Sequence, residues 1–118
     1  LQNRGAQFSL DGKSRNAIAG GKRPFHTIIP GMVTKGDQPF LAFGVMGGTM
    51  QPQGQVQVLV NLVDLGMNLQ AAGDAPRLRH LGSPDPGADG REAVPGLYLE
   101  SGIGAETRSS LVAKGHAI

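Results

Sequence analysis

A run of strand formers that ends on paired glycines just ahead of a helix constrains this chain more than any other feature. Pro39 to Met46 is apolar nearly throughout, Gly47 and Gly48 follow, and Pro52 opens an amphipathic pattern. Val56, Leu59, Val60, Val63 and Met67 recur at helical spacing, while Gln55, Gln57, Asn61 and Asp64 avoid that stripe. A helix over Pro52 to Leu65 is therefore predicted, with its apolar stripe toward the core. Proline in the first turn forfeits no hydrogen bond, and Gly66 marks the end. A strand that stops at two glycines below a helix start leaves bare N–H groups at the positive end of a helix dipole. That arrangement suits an anion or a developing oxyanion. The same pair also reads as a plain strand-to-helix turn.

The flanking segments supply the rest of the architecture. Residues 1–21 are polar and glycine-rich, with turn signals at Asp11-Gly12 and Gly20-Gly21, and read as loop. His26 to Thr34 is rich in β-branched residues but is interrupted by Pro30-Gly31, which predicts a bend or bulge there. Lys35-Gly36-Asp37-Gln38 is a tight-turn cluster, so this segment and Pro39–Met46 form a hairpin whose second strand is expected to be buried. Asn68 can cap a short helix running to Ala75, stopped by Pro76. Arg77 to Leu81 is short and extended, and Gly82 to Gly96, with Pro84, Pro86 and Pro95, reads as loop. Leu97 to Ser101 is a strand, and Gly104 to Lys114 a helix closed by Gly115. This order argues for a single α+β domain over residues 1–118, with an antiparallel sheet and helices packed on it. A further strand returning to the sheet is expected after Ile118, since sheet edges need cover.

Composition removes several functions. There is no cysteine, which excludes disulfides, thiolate catalysis and Cys-based zinc sites. His26, His80 and His116 lack metal-ligand spacing, so no metal and no cofactor is expected. The formal charge is +2 and the basic residues are scattered, which argues against a nucleic-acid surface. No apolar run approaches the roughly 20 residues of a membrane span. The chain begins at Leu1 with no signal-peptide pattern and reads as the interior of a longer polypeptide or a processed product.

Several segments, in order, resemble the C-terminal part of the small subunit of the gamma-glutamyltransferase (gamma-glutamyltranspeptidase) family. Leu1-Gln2-Asn3 with Phe8-Ser9 looks like the loop after its first strands. Gly21-Lys22-Arg23-Pro24-Phe25-His26-Thr27-Ile28-Ile29-Pro30 is similar to a family segment that carries paired serines, and Gly44–Thr49 to its GSPGGS segment. The longest match is Val56 to Gln70 followed by Asp74-Ala75-Pro76-Arg77. The resemblance implies part of an N-terminal-nucleophile hydrolase fold, an αββα sandwich. In that family a precursor cleaves itself before a threonine, which becomes the nucleophile with its own α-amine as base. That threonine would lie upstream of this chain, so the isolated chain is expected to be inactive. Thr27 and Thr49 are internal and are not candidates for it.

Residue by residue, the resemblance assigns the oxyanion hole to the backbone amides of Gly47 and Gly48. The serines that hold a substrate carboxylate correspond to His26 and Thr27, where Thr27 keeps a hydroxyl and His26 brings a bulkier imidazole. His26 reads equally as a strand histidine bonded to a backbone carbonyl. The aspartate that binds a substrate ammonium corresponds to Gln7, which carries no charge, and Arg4 adds a positive charge beside it. A charge-assisted contact becomes a neutral one of about half the strength. Both departures shift the pocket from a gamma-glutamyl zwitterion such as glutathione toward a glutaryl-like acyl group, as in relatives called cephalosporin or glutaryl acylases. Arg77, Arg79 and His80 read as structural ion-pair partners, Asp74 as a local cap or partner, and the methionines as packing. The implied partners are the large subunit, the N-terminal part of the small subunit and a small-molecule substrate, with homo-oligomerisation allowed. The competing reading is a non-catalytic binding or assembly domain on the same fold.

Overall fold

The turn at Gly36-Asp37 forms because Gly36 takes the left-handed conformation, with φ of 59°. It joins β1 (Gly31–Lys35) to β2 (Gln38–Phe43) as an antiparallel pair in which Lys35 faces Gln38 and Met32 faces Ala42. The computed structural model that shows this describes residues 3–82 and 95–118. Leu1, Gln2 and most of the loop expected over Gly82–Gly96 lie outside the described residues.

The bulge falls later than expected. The register slips between Val33 and Thr34, opposite Leu41 and Pro39, so Phe40 is the extra residue. Pro39 has no N–H to give to the ladder, which is why pairing breaks beside it. Pro30 does not bend a strand but precedes one: β1 starts at Gly31, and residues 26–30 run outside the sheet. Gly31 faces Phe43, whose ring lies where a β-carbon would stand, 2.6 Å away. The second strand is not buried, contrary to expectation. Its burial alternates only at its end, and Phe40 is 61% exposed, because nothing in the described chain covers the sheet.

Helix α1 (Gln51–Val63) carries Pro52 in its first turn, and the left-handed Gly66 (φ 63°) turns the chain so that Met67 N–H reaches the Asn61 carbonyl. Its predicted apolar stripe is covered only in part, with Leu59 and Met67 half-buried. Val56, Val60 and Val63 are exposed, whereas Gln51 and Gly54 are its buried residues. The glutamine face, expected in solvent, ties the helix to the rest of the chain. Gln57 Nε2 donates to Leu78 O (2.9 Å) while Leu78 N–H donates to Gln57 Oε1 (2.8 Å). Gln53 repeats this with His80, at 3.0 and 2.8 Å. Four helical residues rise about 6 Å, and two strand residues about 6.6–6.8 Å. The two side-chain amides therefore stand in register with alternate residues of β3 (Leu78–Leu81) and pair its outer edge as a neighbouring strand would. Gln55 bonds Ile29 O on the other flank.

The order of the remaining elements is as the sequence predicts. Asn68 caps α2 (Leu69–Asp74), its side chain accepting from Ala71 N–H at 2.8 Å. β3 pairs antiparallel with β4 (Gly96–Leu99), Leu78 facing Leu99 and His80 facing Leu97. α3 (Ala105–Ala113) ends at Gly115, φ 91°, with His116 N–H bonded to Leu111 O and Gly115 N–H to Val112 O, a Schellman closure. The chain then returns to β4, where Ala117 O accepts from Leu97 N–H at 2.7 Å. The sheet is thus two separate two-stranded pieces, β1-β2 and β3-β4, within an α+β arrangement. Among the described residues only Ala72 and Leu97 are buried apolar side chains. The radius of gyration is 17.5 Å, against about 13–14 Å for a compact domain of this length.

Candidate active site

Strand β2 ends at Phe43, and the chain must then turn sharply into α1. Gly47 (φ 142°, ψ 20°) and Gly48 (φ 58°) make the turn in conformations that side chains disfavour. Gly48–Met50 forms a 3₁₀ turn that runs directly into α1. The carbonyls of this turn are consumed: Met50 N–H donates to Gly47 O at 3.1 Å and Gln51 N–H to Gly48 O. The Gly47 and Gly48 N–H groups donate to no backbone carbonyl among the described residues. Two successive free donors thus stand at the positive end of α1.

The turn is braced from below. Gln51, 8% exposed, donates through Nε2 to Val45 O at 2.8 Å. Gly54 is buried, and a β-carbon there would meet Met50 Sδ and Val45 Cγ2 at 3.0 Å. Helix and turn approach this closely because Gly54 has no side chain.

A cleft of about 370 Å³ opens beside the turn. Met46, Gly47 and Met50 form one wall, and Arg77, Arg79 and Glu100 from the β3–β4 hairpin form the other. The four sequence-predicted pocket residues, Arg4, Gln7, His26 and Thr27, do not line it. Thr27 is only 6% exposed; His26 is exposed, and its Nδ1 accepts from Ile28 N–H at 3.0 Å rather than donating to a carbonyl. With Nδ1 an acceptor, the neutral ring carries its N–H on Nε2. Gln55, bonded to Ile29 O, ties this segment to the first turns of α1. Arg4 and Gln7 bound a short 3₁₀ turn held by Asn16 Nδ2 on Gln7 O. Arg4 Nε and Gln7 Oε1 are both buried without a hydrogen-bond partner among the described residues.

The basic wall was readable only in part. Arg77 is an ion-pair partner as expected, its Nη2 lying 3.2 Å from Glu100 Oε1. Arg79 meets no carboxylate among the described residues, and its Nη2 contacts Thr49 Oγ1 at 3.4 Å. Arginines at positions 77 and 79 alternate along an extended segment and so project to one side. That spacing was the signal available in the sequence.

Glu100 Oε2 accepts from the Arg77 backbone N–H at 2.8 Å, and this bond, ahead of the Arg77 guanidinium, holds the Glu100 carboxyl below the usual carboxylate range. A carboxyl depressed in the folded state stabilises the fold above its unfolded pKa, and the gain is lost as pH falls through the folded value. Arg77→Gln, which keeps the backbone donor, should leave Glu100 still depressed but less so, as read by carbon NMR titration of the carboxyl. A return to an ordinary value would assign the effect to the guanidinium alone.

A family model described as Gamma-glutamyltranspeptidase matches residues 1–118. The chain is 37% identical, over all its 118 residues, to a Bacillus subtilis glutathione hydrolase-like proenzyme (YwrD), and spans 21% of that relative's length. It is 42% identical over 76 residues, 64% of the chain and 14% of the relative, to an oxamate amidohydrolase proenzyme of Klebsiella pneumoniae. Its fold superposes on a crystal structure of cephalosporin acylase from Bacillus halodurans with TM-score 0.80 and 46% identity, covering 100% of this chain and 20% of that one. An acivicin-inhibited gamma-glutamyltranspeptidase structure gives TM-score 0.82 at 29% identity, over 100% and 63% of the two chains. With the family pattern matched from end to end and the same fold in these N-terminal-nucleophile hydrolases, the chain belongs to the gamma-glutamyltranspeptidase family, as a segment of a longer member.

Proposed function

We propose that this segment supplies the electrophilic side of an amide-hydrolysing or acyl-transferring centre in the longer protein. The nucleophile would be the threonine freed at the start of the small subunit. As its hydroxyl adds to the substrate carbonyl, its own α-amine takes the proton and negative charge grows on the carbonyl oxygen. The Gly47 and Gly48 amides receive that charge, their orientation set before the reaction begins. Collapse expels the amine and leaves an acyl-threonine ester, which water or an acceptor amine resolves. The observation that carries this reading is the pair of unconsumed amides on two positive-φ glycines at the start of α1.

Thr27, His26, Gln7 and Arg4 form the acyl pocket in this proposal. The buried, unpartnered Gln7 Oε1 and Arg4 Nε support it, since such atoms ordinarily find partners. With Gln7 neutral and Arg4 cationic, the pocket favours an acyl group that carries a carboxylate and lacks the ammonium. The longer protein should release 4-nitroaniline from its glutaryl amide faster than from its gamma-glutamyl amide. Gln7→Asp should move that preference toward gamma-glutamyl by about tenfold, on the scale of one charge-assisted hydrogen bond. An unchanged ratio would remove Gln7 from the pocket. Turnover that persists when the upstream threonine is replaced would defeat the mechanism.

A further inference from the structure

The cleft between the glycine turn and the β3–β4 hairpin is separate from the acyl pocket assigned above, and its charge is unbalanced. Glu100 accounts for Arg77, pairing with its guanidinium at 3.2 Å while accepting from its backbone N–H at 2.8 Å. Among the described residues Arg79 has only the Thr49 hydroxyl, two residues beyond Gly47, at a long 3.4 Å. The Nε atoms of both arginines are buried and unpartnered among the described residues. A guanidinium offers five donors in a rigid fork matched to a carboxylate, and a half-buried one left with a single weak contact is poised for an anion. The positive end of α1 and the free Gly47 amide add to the field in the same cleft. Met46 and Met50 on the facing wall suit the apolar body of a ligand whose charge sits at its end.

We propose that this cleft is a carboxylate subsite, in which Arg79 binds a carboxylate on a substrate whose scissile carbonyl lies at Gly47 and Gly48. The proposal rests on the oxyanion-hole reading for the position of the carbonyl. Carboxylate is the recognised chemistry; because the acyl pocket already takes the carboxylate of the acyl half, the one at Arg79 belongs to the leaving amine, and a loss on the acyl-charged substrate instead would move the acyl carboxylate to Arg79.

Three chromogenic substrates separate these sources in the longer protein. They are glutaryl 4-nitroanilide, charged on the acyl side; pentanoyl 3-carboxy-4-nitroanilide, charged on the leaving side; and neutral pentanoyl 4-nitroanilide. Arg79→Met should lower kcat/KM on one charged substrate by about 10- to 100-fold, the size of one charge-assisted hydrogen bond, through a rise in KM. The neutral substrate should change little, and Arg79→Lys should recover part of the loss. The charged substrate that suffers identifies the half that carries the carboxylate. Equal losses on all three, or none, overturn the subsite. Calorimetric titration with glutarate and with 3-carboxy-4-nitroaniline supplies a readout independent of turnover. Weaker binding of one of them to Arg79→Met than to the parent supports the subsite, and equal binding of both overturns it. If the parent cleaves none of the substrates, the oxyanion-hole reading fails on its own, and the titration alone decides the subsite.

Discussion

Replacing Gly47 by alanine in the longer protein should lower kcat by about 10²- to 10³-fold with KM nearly unchanged, which corresponds to about 2.7–4 kcal/mol of lost transition-state stabilisation. The reason is conformational. At φ 142° a β-carbon is strained whatever space surrounds it, so the peptide must rotate, and the Gly47 N–H rotates with it. Space is not the main obstacle, since a β-carbon at Gly47 would meet only Met50 Cβ, at 3.4 Å. Gly48 makes the informative comparison. Its φ of 58° lies in the left-handed region that asparagine tolerates, and nothing lies within 4 Å of a β-carbon built there. Gly48→Asn should therefore cost activity far less than Gly47→Ala, while both retain the melting temperature within a few degrees. An effect confined to kcat points to an interaction made only in the transition state. A Gly47→Ala enzyme within about threefold of the parent, with its fold intact, would show that these amides hold no oxyanion.

The sequence made the ends of elements legible and left their faces obscure. Pro52, Gly66, Asn68, Pro76 and Gly115 each act on the backbone within a turn of themselves, so α1, α2 and α3 stop and start near where those residues direct. Gly36 likewise fixed the hairpin through its own conformation. The orientation of α1 depends instead on what lies across from it. The apolar stripe Val56-Val60-Val63 suggested a core-facing side, yet the described chain places a hydrogen-bonding strand, β3, against the glutamines. Glutamines at 53 and 57 gave no such hint, because their partners lie 27 and 21 residues away. The same limit applied to the site. The glycine turn is local and was visible, whereas the basic wall of its cleft comes from a hairpin closed far along the chain. The resemblance to the family supplied residue roles that spacing alone could not.

Removing the two side-chain amides that edge β3 should have the largest effect on stability. Gln53→Leu with Gln57→Leu deletes the four hydrogen bonds to β3, besides the one from Gln57 Nε2 to Gln53 O, and leaves the N–H and C=O groups of Leu78 and His80 to water or to nothing. Net contributions of about 0.5–1.5 kcal/mol each, reduced because Leu78 and His80 are partly in solvent, give about 2–4 kcal/mol for the pair. Chemical denaturation of the longer protein measures this, and the cost should be shared by the Arg77–Glu100 pairing that the same hairpin carries. A carboxylate in place of the amide separates hydrogen bonding from packing. Gln57→Glu keeps the size and the acceptor for Leu78 N–H but loses the donor to Leu78 O and sets a negative charge against that carbonyl. It should destabilise at neutral pH and recover as the pH is lowered through the new carboxyl's raised folded pKa, because the protonated acid again offers one donor and one acceptor. The sign follows from linkage: a carboxyl with a folded pKa above its unfolded value costs stability once pH exceeds the unfolded value. The exposed Gln38, whose side chain makes no hydrogen bond among the described residues, is the reference site, where the same change should lack this recovery. Equal behaviour of Gln57→Glu and Gln38→Glu would mean that the glutamine pair merely lies beside β3, and the cleft that β3 walls would then be held by its pairing with β4 alone.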